Sequence, residues 1–358
     1  MSTEAFLVIS FIKVAIMLFI VLTACAYIVW LERKLIGRIQ NRWGPTRVGP
    51  FGLLQPLADG VKFILKEDII PDNVNRFWYV LAPMLALSFG LCSIALIPFG
   101  PSLQVHGWSI PLQVTGVWRD GSAVDINIGL LVILGITSLG VYGIALSGWS
   151  SNSKYALLGS LRASAQMISY ELSLGLSLVG VLMLSGSLSL REIVDRQQGL
   201  FLTHWNFFGG GLQFVAFFIY LMAAYAETNR IPFDLPEAET ELVAGYHTEY
   251  SAMKFAMFFV AEYANMITVA CLSTILFFGG WHSPFGSFGM PSNPNLAALV
   301  GVIWFFIKVF FFIFLYIWIR GTLPRFRYDQ LMDFGWKFLL PLAIANIVVT
   351  SLVMAVKG

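Results

Sequence analysis

Apolar residues follow one another in long runs along this chain, and polar residues are concentrated in the connections between the runs. A helix needs about 20 apolar residues to cross the hydrocarbon core of a bilayer. Eight runs approach that length, of which the fifth is short. They lie near 5–31, 77–98, 126–147, 157–184, 210–226, 252–278, 297–319 and 337–356. The pattern predicts an all-α polytopic membrane protein with about eight transmembrane helices.

Composition supports this prediction. The chain has 358 residues, of which 58% are hydrophobic and only 12% are charged. Soluble domains usually carry about 25% charged residues, so most of this surface must face something other than water. We expect a single integral membrane domain over 1–358 with no soluble domain. The net charge of +2 gives no electrostatic support for binding nucleic acid.

The distribution of lysine and arginine predicts the orientation. Alternate connections, at 32–76, 148–162, 227–254 and 320–337, carry 16 of these residues, whereas the opposite side carries 4. Basic connections face the cytoplasm or an organellar matrix. Both chain termini are then expected on the opposite side.

The first basic connection, 32–76, has two distinct parts. Gly-Pro steps at 44–45 and 49–50 interrupt helices in its first part. Its second part, near 53–65, has apolar residues at helical spacing and predicts an amphipathic helix in the membrane interface. That apolar face consists of Leu53, Leu54, Leu57, Val61 and Ile64. A membrane-surface anchor without any chemistry is the alternative interpretation.

The connection 227–249 is rich in acids. It carries Glu227, Asp234, Glu237, Glu239, Glu241 and Glu249. A short helix that begins at Pro236 would explain the glutamates of its first turn, because acids favour the positive end of a helix dipole. It does not explain the others. Crowded carboxylates raise one another's pKa values and titrate as a coupled set, so such a cluster can hold and pass protons.

Two further carboxylates, Glu171 and Glu262, lie within the fourth and sixth runs. Charged residues within the bilayer are costly and usually functional, which predicts a proton relay. A neutral glutamate that joins helices by hydrogen bonds is the alternative. Lys308 and Lys13 also lie within runs and are candidate counter-charges, although Lys13 is also close enough to an end to reach the interface.

Cofactor ligands are scarce in this sequence. The three cysteines are far apart, no CxxC occurs, and the four histidines fall outside the apolar runs. Iron–sulfur, zinc and transmembrane haem sites therefore lack their usual ligand patterns. The intramembrane carboxylates, the acidic connection and the amphipathic helix fit two classes of protein. One is an ion-coupled secondary transporter, and the other is a redox-linked subunit that receives a lipophilic substrate.

Three segments resemble one known family. They read ERKLIGRIQNRWGPTRVGPFGLLQPLADGVKFILKED from residue 32, SLRASAQMISYELSLG from residue 160 and AETNRIPFDLPEAETELVAGYHTEYSAMKFAMFFVAEY from residue 226. They are similar to the H membrane subunit of bacterial NADH:quinone oxidoreductase (respiratory complex I) and to its counterpart, the first mitochondrially encoded membrane subunit. The likeness extends over nearly the whole chain.

The resemblance implies a role within an assembly. The chain would be a subunit of a proton-translocating oxidoreductase, would bind no cofactor itself and would have no activity alone. Quinone, either ubiquinone or menaquinone, would be the substrate, with iron–sulfur clusters and flavin in partner subunits. Expected partners are peripheral-arm subunits, docked on 32–76, 227–249 and 320–336, small and antiporter-like membrane subunits, and lipid. The expected location is the bacterial inner membrane or, alternatively, an organellar inner membrane.

The resemblance also implies two sets of site residues. The proton path would comprise Glu171, Glu227, Asp234, Glu237, Glu239, Glu241, Glu249 and Glu262. The quinone passage would comprise Glu32, Arg33, Arg38, Arg42, Asp59, Lys62 and Phe233. Homologous subunits of membrane-bound hydrogenases, or of dehydrogenases with other electron donors, are the alternatives within this resemblance. Residues 126–170 contain no acid, so a path through the third span would need water or a neighbouring chain.

Overall fold

The computed structural model describes most of the chain, with short gaps. The described residues are 3–105, 108–110, 112–115, 117–119, 122–124, 126–209, 213–235, 243–286, 291 and 293–357. Within them, seven helices are long and apolar enough to cross a membrane, and an eighth apolar helix is shorter. The prediction of a polytopic, mainly helical membrane protein is thereby confirmed.

The helices, numbered in chain order, include all eight predicted spans. The long ones are α1 (Thr3–Ile39), α3 (Arg76–Ala95), α4 (Gly129–Ser150), α5 (Lys154–Ser185), α10 (Ala252–Phe277), α11 (Pro294–Thr322) and α13 (Leu340–Lys357). The shorter ones are α2 (Gln55–Leu65), α6 (Leu190–Arg196), α7 (Phe201–His204), α8 (Asn206–Gly209), α9 (Gln213–Glu227) and α12 (Tyr328–Asp333). A π-helical stretch, Phe334–Leu339, joins α12 to α13 and makes them one continuous span.

The first helix is longer than its apolar run. The run predicts a span that ends near residue 31, whereas α1 continues to Ile39 and spans about 55 Å at 1.5 Å per residue. The hydrocarbon core is only about 30 Å thick, so one end of α1 extends beyond it. A helix continues through polar residues as long as its backbone hydrogen bonds persist. An apolar run therefore marks the part of the helix within the membrane and not the residue at which the helix ends. The extension carries Glu32, Arg33 and Arg38 on regular helix.

The fifth span is the short one, as predicted. Helix α9 has 15 residues and is followed by Asn229, whose φ of 49° is left-handed and ends the helix. Residues 210–212, which the prediction placed in this span, lie outside the described part of the chain.

Two small hairpins follow α3 and were not predicted. Strand β1 (Leu103–Val105) pairs antiparallel with β2 (Trp108–Ile110), and β3 (Val117–Arg119) pairs antiparallel with β4 (Ser122–Val124). Each strand has three residues, which is too short for an alternating pattern to be recognised in the sequence. The hairpins lie in one connection and leave the transmembrane bundle entirely helical.

The amphipathic helix of the first connection is confirmed as α2. Its predicted apolar face is exposed in this chain, with Leu57 70% and Ile64 68% accessible. An exposed apolar face on a short helix is typical of a helix that lies on lipid.

Close backbone contact holds the acidic connection against the bundle. A Cβ at Gly159, on α5, would come within 2.7 Å of the Cα atom of Gly245. Gly245 itself has a φ of 60° and begins a short 3₁₀ turn that ends at His247. Glycine at both positions lets this turn lie directly on α5, next to the site described below.

Candidate functional site

A long cavity lies between α1, α2 and the first half of α10. Its volume is about 840 Å³. Apolar side chains dominate the lining, among them Leu22, Val29, Phe63, Phe255 and Phe259. Cavities of this size and character bind largely apolar ligands, with a few polar groups that fix orientation.

Asp59 supplies a charged group on the α2 wall of this cavity. Its carboxylate accepts a hydrogen bond from Arg33 Nη1 at 2.7 Å and another from Gln55 Nε2 at 3.1 Å. Lys62 lies 3.8 Å away, one turn further along the same helix. The Arg33–Asp59 pair therefore connects α1 to α2 across the cavity.

A second cavity, of about 430 Å³, adjoins the first. The two share Val29, Arg33, Phe259 and Tyr263 in their walls. The second cavity is the more polar and is also lined by Glu32, Arg42, Trp43 and Arg320. We call the two adjacent cavities together, the apolar chamber and the charged end, the passage.

Glu32 is the central acceptor at the charged end of the passage. It is only 5% exposed, and both of its carboxylate oxygens are engaged. Tyr263 donates to it at 2.7 Å, Arg230 lies 3.5 Å from it, and Arg320 forms a very close ion pair with it. A buried carboxylate is stable only with such partners, because burial removes its water.

Arg230 connects the passage to a second buried carboxylate. One terminal nitrogen faces Glu32, and the other lies 3.8 Å from Glu262. Its guanidinium also stacks over the ring of Tyr263, 4.1 Å from the centroid. Glu262 in turn accepts a hydrogen bond of 2.9 Å from Tyr246, on the 3₁₀ turn of the acidic connection. Charges of alternating sign thus run from the passage into the bundle.

Asp234, in the acidic connection, pairs with Arg325 at 3.2 Å. Burial raises the pKa of Asp234 to about 7, with a smaller contribution from Glu262, while Arg325 acts in the opposite direction. Asp234 can therefore exchange a proton near neutral pH.

His247 lines the long cavity. Burial lowers its pKa, and the charge of Glu262 partly offsets that effect.

The remaining predicted acids fall into three groups. Glu227, at the end of α9, lies close enough to Glu171 on α5 for their charges to repel each other. Glu249 lies near Tyr79, which donates to its backbone carbonyl at 2.6 Å. Glu237, Glu239 and Glu241, together with the helix predicted from Pro236, lie outside the described residues.

Two predicted passage residues stand apart from the cavity walls. The guanidinium of Arg38 stacks on Trp43, 4.8 Å from the ring centroid, and it is Trp43 that lines the second cavity. Phe233, in the acidic connection, is buried and stacks on Phe326 with the two ring centroids 5.5 Å apart. Neither side chain is among the described residues that line the passage.

The prediction that Lys308 is a counter-charge for a glutamate was wrong. Its ammonium instead donates to the backbone carbonyls of Phe278, Gly280 and His282 at 2.7–2.8 Å. Carbonyls at the end of a helix lack intrahelical donors, and a buried ammonium with three N–H groups satisfies them.

Sequence reasoning also missed five residues that pair with the buried acids across long stretches of sequence. These are the arginines and tyrosines that surround the buried acids, namely Arg230, Arg320, Arg325, Tyr246 and Tyr263. Arg320 and Arg325 follow a long apolar run, where basic residues are read only as an orientation signal. The residues that the structure describes contain no cluster of three or more His, Cys, Asp or Glu suited to a metal ion.

Comparison with known proteins gives a consistent result. Residues 12–351 match the family model described as NADH dehydrogenase. The chain is 69% identical to an H subunit of NADH-quinone oxidoreductase from Koribacter versatilis, over 99% of each chain. It is 52% identical to an H subunit of the same enzyme from Geobacter sulfurreducens, over 97% of this chain and 95% of that protein. It is 50% identical to the H subunit from Thermomicrobium roseum, over 97% and 96% respectively.

Proposed function

This chain belongs to the NADH dehydrogenase family and resembles the H subunits of NADH-quinone oxidoreductase over its full length, and on that premise we propose how it works within such an enzyme. The passage admits quinone from lipid to the charged end at Glu32. The buried carboxylates then link quinone reduction to proton translocation. Electrons come from iron–sulfur clusters in the peripheral arm, which docks on the same side of the chain.

One observation carries this proposal, namely that the two cavities lie side by side and share four wall residues. A quinone has an apolar tail and a polar head, and the walls change in the same order along the passage. The apolar chamber adjoins the exposed apolar face of α2, where lipid is expected. The second cavity ends among Glu32, Arg42 and Arg320, which offer charged hydrogen-bonding partners to a head group.

The coupling part of the proposal follows from charge. Reduction of a quinone to a quinol consumes protons as well as electrons, so the charge balance at the end of the passage changes at each turnover. Arg230 is shared between Glu32 and Glu262, and charges in a buried site are poorly screened. A proton gained or lost at Glu32 therefore alters the stability of ionised Glu262.

The passage is tested by narrowing it at Gly60. Gly60 lines the long cavity, and a Cβ there would meet no heavy atom within 4 Å, so the backbone at this position has room for the start of a side chain. Gly60→Phe adds a bulky ring at this wall. We expect slower reduction of long-tailed quinone in membrane vesicles, with short-tailed analogues less affected. Gly135→Phe on α4 is the matched control, because its Cβ is equally open but lies outside the passage. Equal rates for the two variants with long-tailed quinone would refute the passage.

The proton path is tested by Glu262→Gln. Glutamine keeps the shape of the side chain and its hydrogen bond with Tyr246 but cannot ionise. We expect normal assembly with loss of proton pumping and of coupled quinone reduction. Undiminished pumping in a normally assembled variant would show that Glu262 only joins helices.

The alternative of a secondary transporter has less support. Its substrate site would lie at broken helices near mid-bilayer. Here the cavities lie instead at one end of the bundle, beside α2 and the acidic connection.

A further inference from the structure

A buried glutamine on α5 holds the turn that follows α9. The amide nitrogen of Gln166 donates at 2.8 Å to the backbone carbonyl of Ala226 and at 2.8 Å to that of Phe233. It also donates at 3.2 Å to the side-chain oxygen of Asn229, which lies between them in the chain. A single side chain with no exposed surface therefore binds both ends and the middle of the turn 226–233.

The residue that follows each of these three contacts is charged. These residues are Glu227, Arg230 and Asp234. A backbone carbonyl belongs to the same planar peptide unit as the Cα atom of the next residue, so holding the carbonyl also limits where the next residue lies. Arg230 matters most for the passage, because its guanidinium faces Glu32 on one side and Glu262 on the other. The place of that guanidinium thus depends on how the turn is held.

The turn is only loosely held by its own backbone. Helix α9 ends at Glu227, and Asn229 has left-handed backbone angles that prevent the helix from continuing. The backbone N–H of Arg230 reaches the carbonyl of Tyr225 only at 3.4 Å, which is long for a hydrogen bond. Helix α5, by contrast, has 32 residues and packs against α4, α9 and α13. Gln166 therefore connects a weakly bonded turn to a rigid helix.

Stability alone does not explain a glutamine at this position. Among the described residues, none donates a hydrogen bond to the buried side-chain oxygen of Gln166, and an unsatisfied buried acceptor destabilises a fold. Gln197, at the end of α6, shows the satisfied arrangement. Its nitrogen donates to two backbone carbonyls, and its oxygen accepts hydrogen bonds from two backbone N–H groups. What Gln166 contributes is the position of the turn.

We propose that Gln166 is a positioning residue of the quinone and proton site. Its amide nitrogen fixes the turn 226–233, and the turn in its place keeps the guanidinium of Arg230 between Glu32 and Glu262. Gln166 itself touches neither the quinone nor a transferred proton. The inference rests on the proposed function, because it concerns the arginine that links the passage to the buried carboxylates.

The test replaces Gln166 by methionine. Gln166→Met keeps an unbranched side chain of similar length but has no hydrogen-bond donor. Gln197→Met is the matched control, because it removes another buried glutamine amide that binds two backbone carbonyls, at a position outside the walls of the passage. The kcat and KM for quinone, together with proton pumping, are measured in membrane vesicles that contain equal amounts of the assembled complex.

We expect Gln166→Met to lower kcat by about tenfold or more, because a misplacement of about 1 Å at a reacting site can cost about a hundredfold. The KM for quinone should change little, since the described residues that line the passage do not include Gln166. Gln197→Met should keep the parental kcat per assembled complex, whatever its effect on stability. A parental kcat in Gln166→Met, or equal losses of kcat in the two variants, would overturn the positioning role.

Electron cryo-microscopy of the Gln166→Met complex gives a readout that does not depend on activity. The guanidinium of Arg230 should leave the position in which it lies 3.8 Å from Glu262. An unmoved guanidinium would also overturn the inference. If Gln166→Met does not assemble, Gln166→Asn decides by the same comparison, because its amide is one carbon shorter and cannot reach all three acceptors.

Glu262→Gln separates this inference from the function on which it rests. If Glu262→Gln loses pumping while Gln166→Met does not, the positioning role is wrong and the proposed function remains. If neither variant loses pumping, the proposed function itself fails, and the inference fails with it.

Discussion

Replacing Glu32 by glutamine removes the central negative charge of the passage while keeping its shape. The carboxylate has three donors, of which two are arginines. Glu32→Gln leaves Arg230 and Arg320 facing a neutral amide. We expect loss of quinone reduction together with a marked loss of stability.

The magnitude follows from burial. Breaking a buried ion pair by removing one partner costs about 3–5 kcal/mol, because the other charge stays buried. Arg230 is 6% exposed and meets that condition. However, Arg230 still has a second carboxylate partner, Glu262, at 3.8 Å. The side chain of Arg320 is 31% exposed, so water can partly replace Glu32 as its partner. The lower end, about 3 kcal/mol, is therefore expected.

Two comparison variants, each expected to lose less stability than Glu32→Gln, allow the losses to be ranked. Tyr263→Phe removes the hydrogen bond that the hydroxyl donates to Glu32, together with the longer one of 3.4 Å that it accepts from Arg230. The expected loss is about 1.5–3 kcal/mol. Asp333→Asn breaks the exposed pair with Lys337, four residues along the helix, which is worth about 0.3–0.5 kcal/mol. The thermal midpoint of the purified complex should fall most for Glu32→Gln and least for Asp333→Asn. An effect of Glu32→Gln no larger than that of Asp333→Asn would refute the reasoning.

Two further predictions concern titration and helix capping. Because burial raises the pKa of Asp234 to about 7, above the value of 3.8 expected in an unfolded chain, its ionisation destabilises the fold as the pH rises. Asp234→Asn should therefore gain stability relative to the parent as the pH rises from about 4 to about 7, by at most about 4 kcal/mol, with no further gain at higher pH. A difference in thermal midpoint that does not change over this pH range would contradict this. Lys308→Met should lower the free energy of unfolding by about 3 kcal/mol or more, and with it the thermal midpoint, because three backbone carbonyls lose a charged donor. Lys337→Met is its exposed control, and equal shifts for the two variants would argue against the capping role.

The helices were predictable because they depend on local sequence. Each transmembrane helix satisfies its own backbone hydrogen bonds, so a run of apolar residues is sufficient to identify it. The amphipathic helix α2 was predictable for a related reason, since its apolar residues repeat at helical spacing over 53–65. Bounds were less accurate, as in α1, because a helix can continue beyond the apolar run that identifies it.

The charge pairs were not predictable, because they depend on helix packing. Glu32 and Arg320 are 288 residues apart, and Glu32 and Arg230 are 198 apart. A sequence pattern indicates that Glu32 and Arg320 lie near span ends on the same side, but it does not indicate which helices are neighbours. The error over Lys308 has the same origin, because the carbonyls that it contacts belong to a connection that follows another helix.

The order of charges gives the proposed coupling a physical carrier. Along the line from the passage into the bundle, Arg320, Glu32, Arg230 and Glu262 alternate in sign, and each is close to the next. If Glu32 takes up a proton from water when electrons reach the quinone, before that proton passes to the quinone oxygen, Arg230 loses one of its two carboxylate partners. Its attraction for ionised Glu262 is then no longer shared. Because charges in a buried site are poorly screened, Arg230 then stabilises ionised Glu262 more strongly. Glu262 also lines a small cavity of about 20 Å³ together with Glu227. A single arginine can therefore link the charge state of the quinone site to the first proton transfer toward the membrane interior.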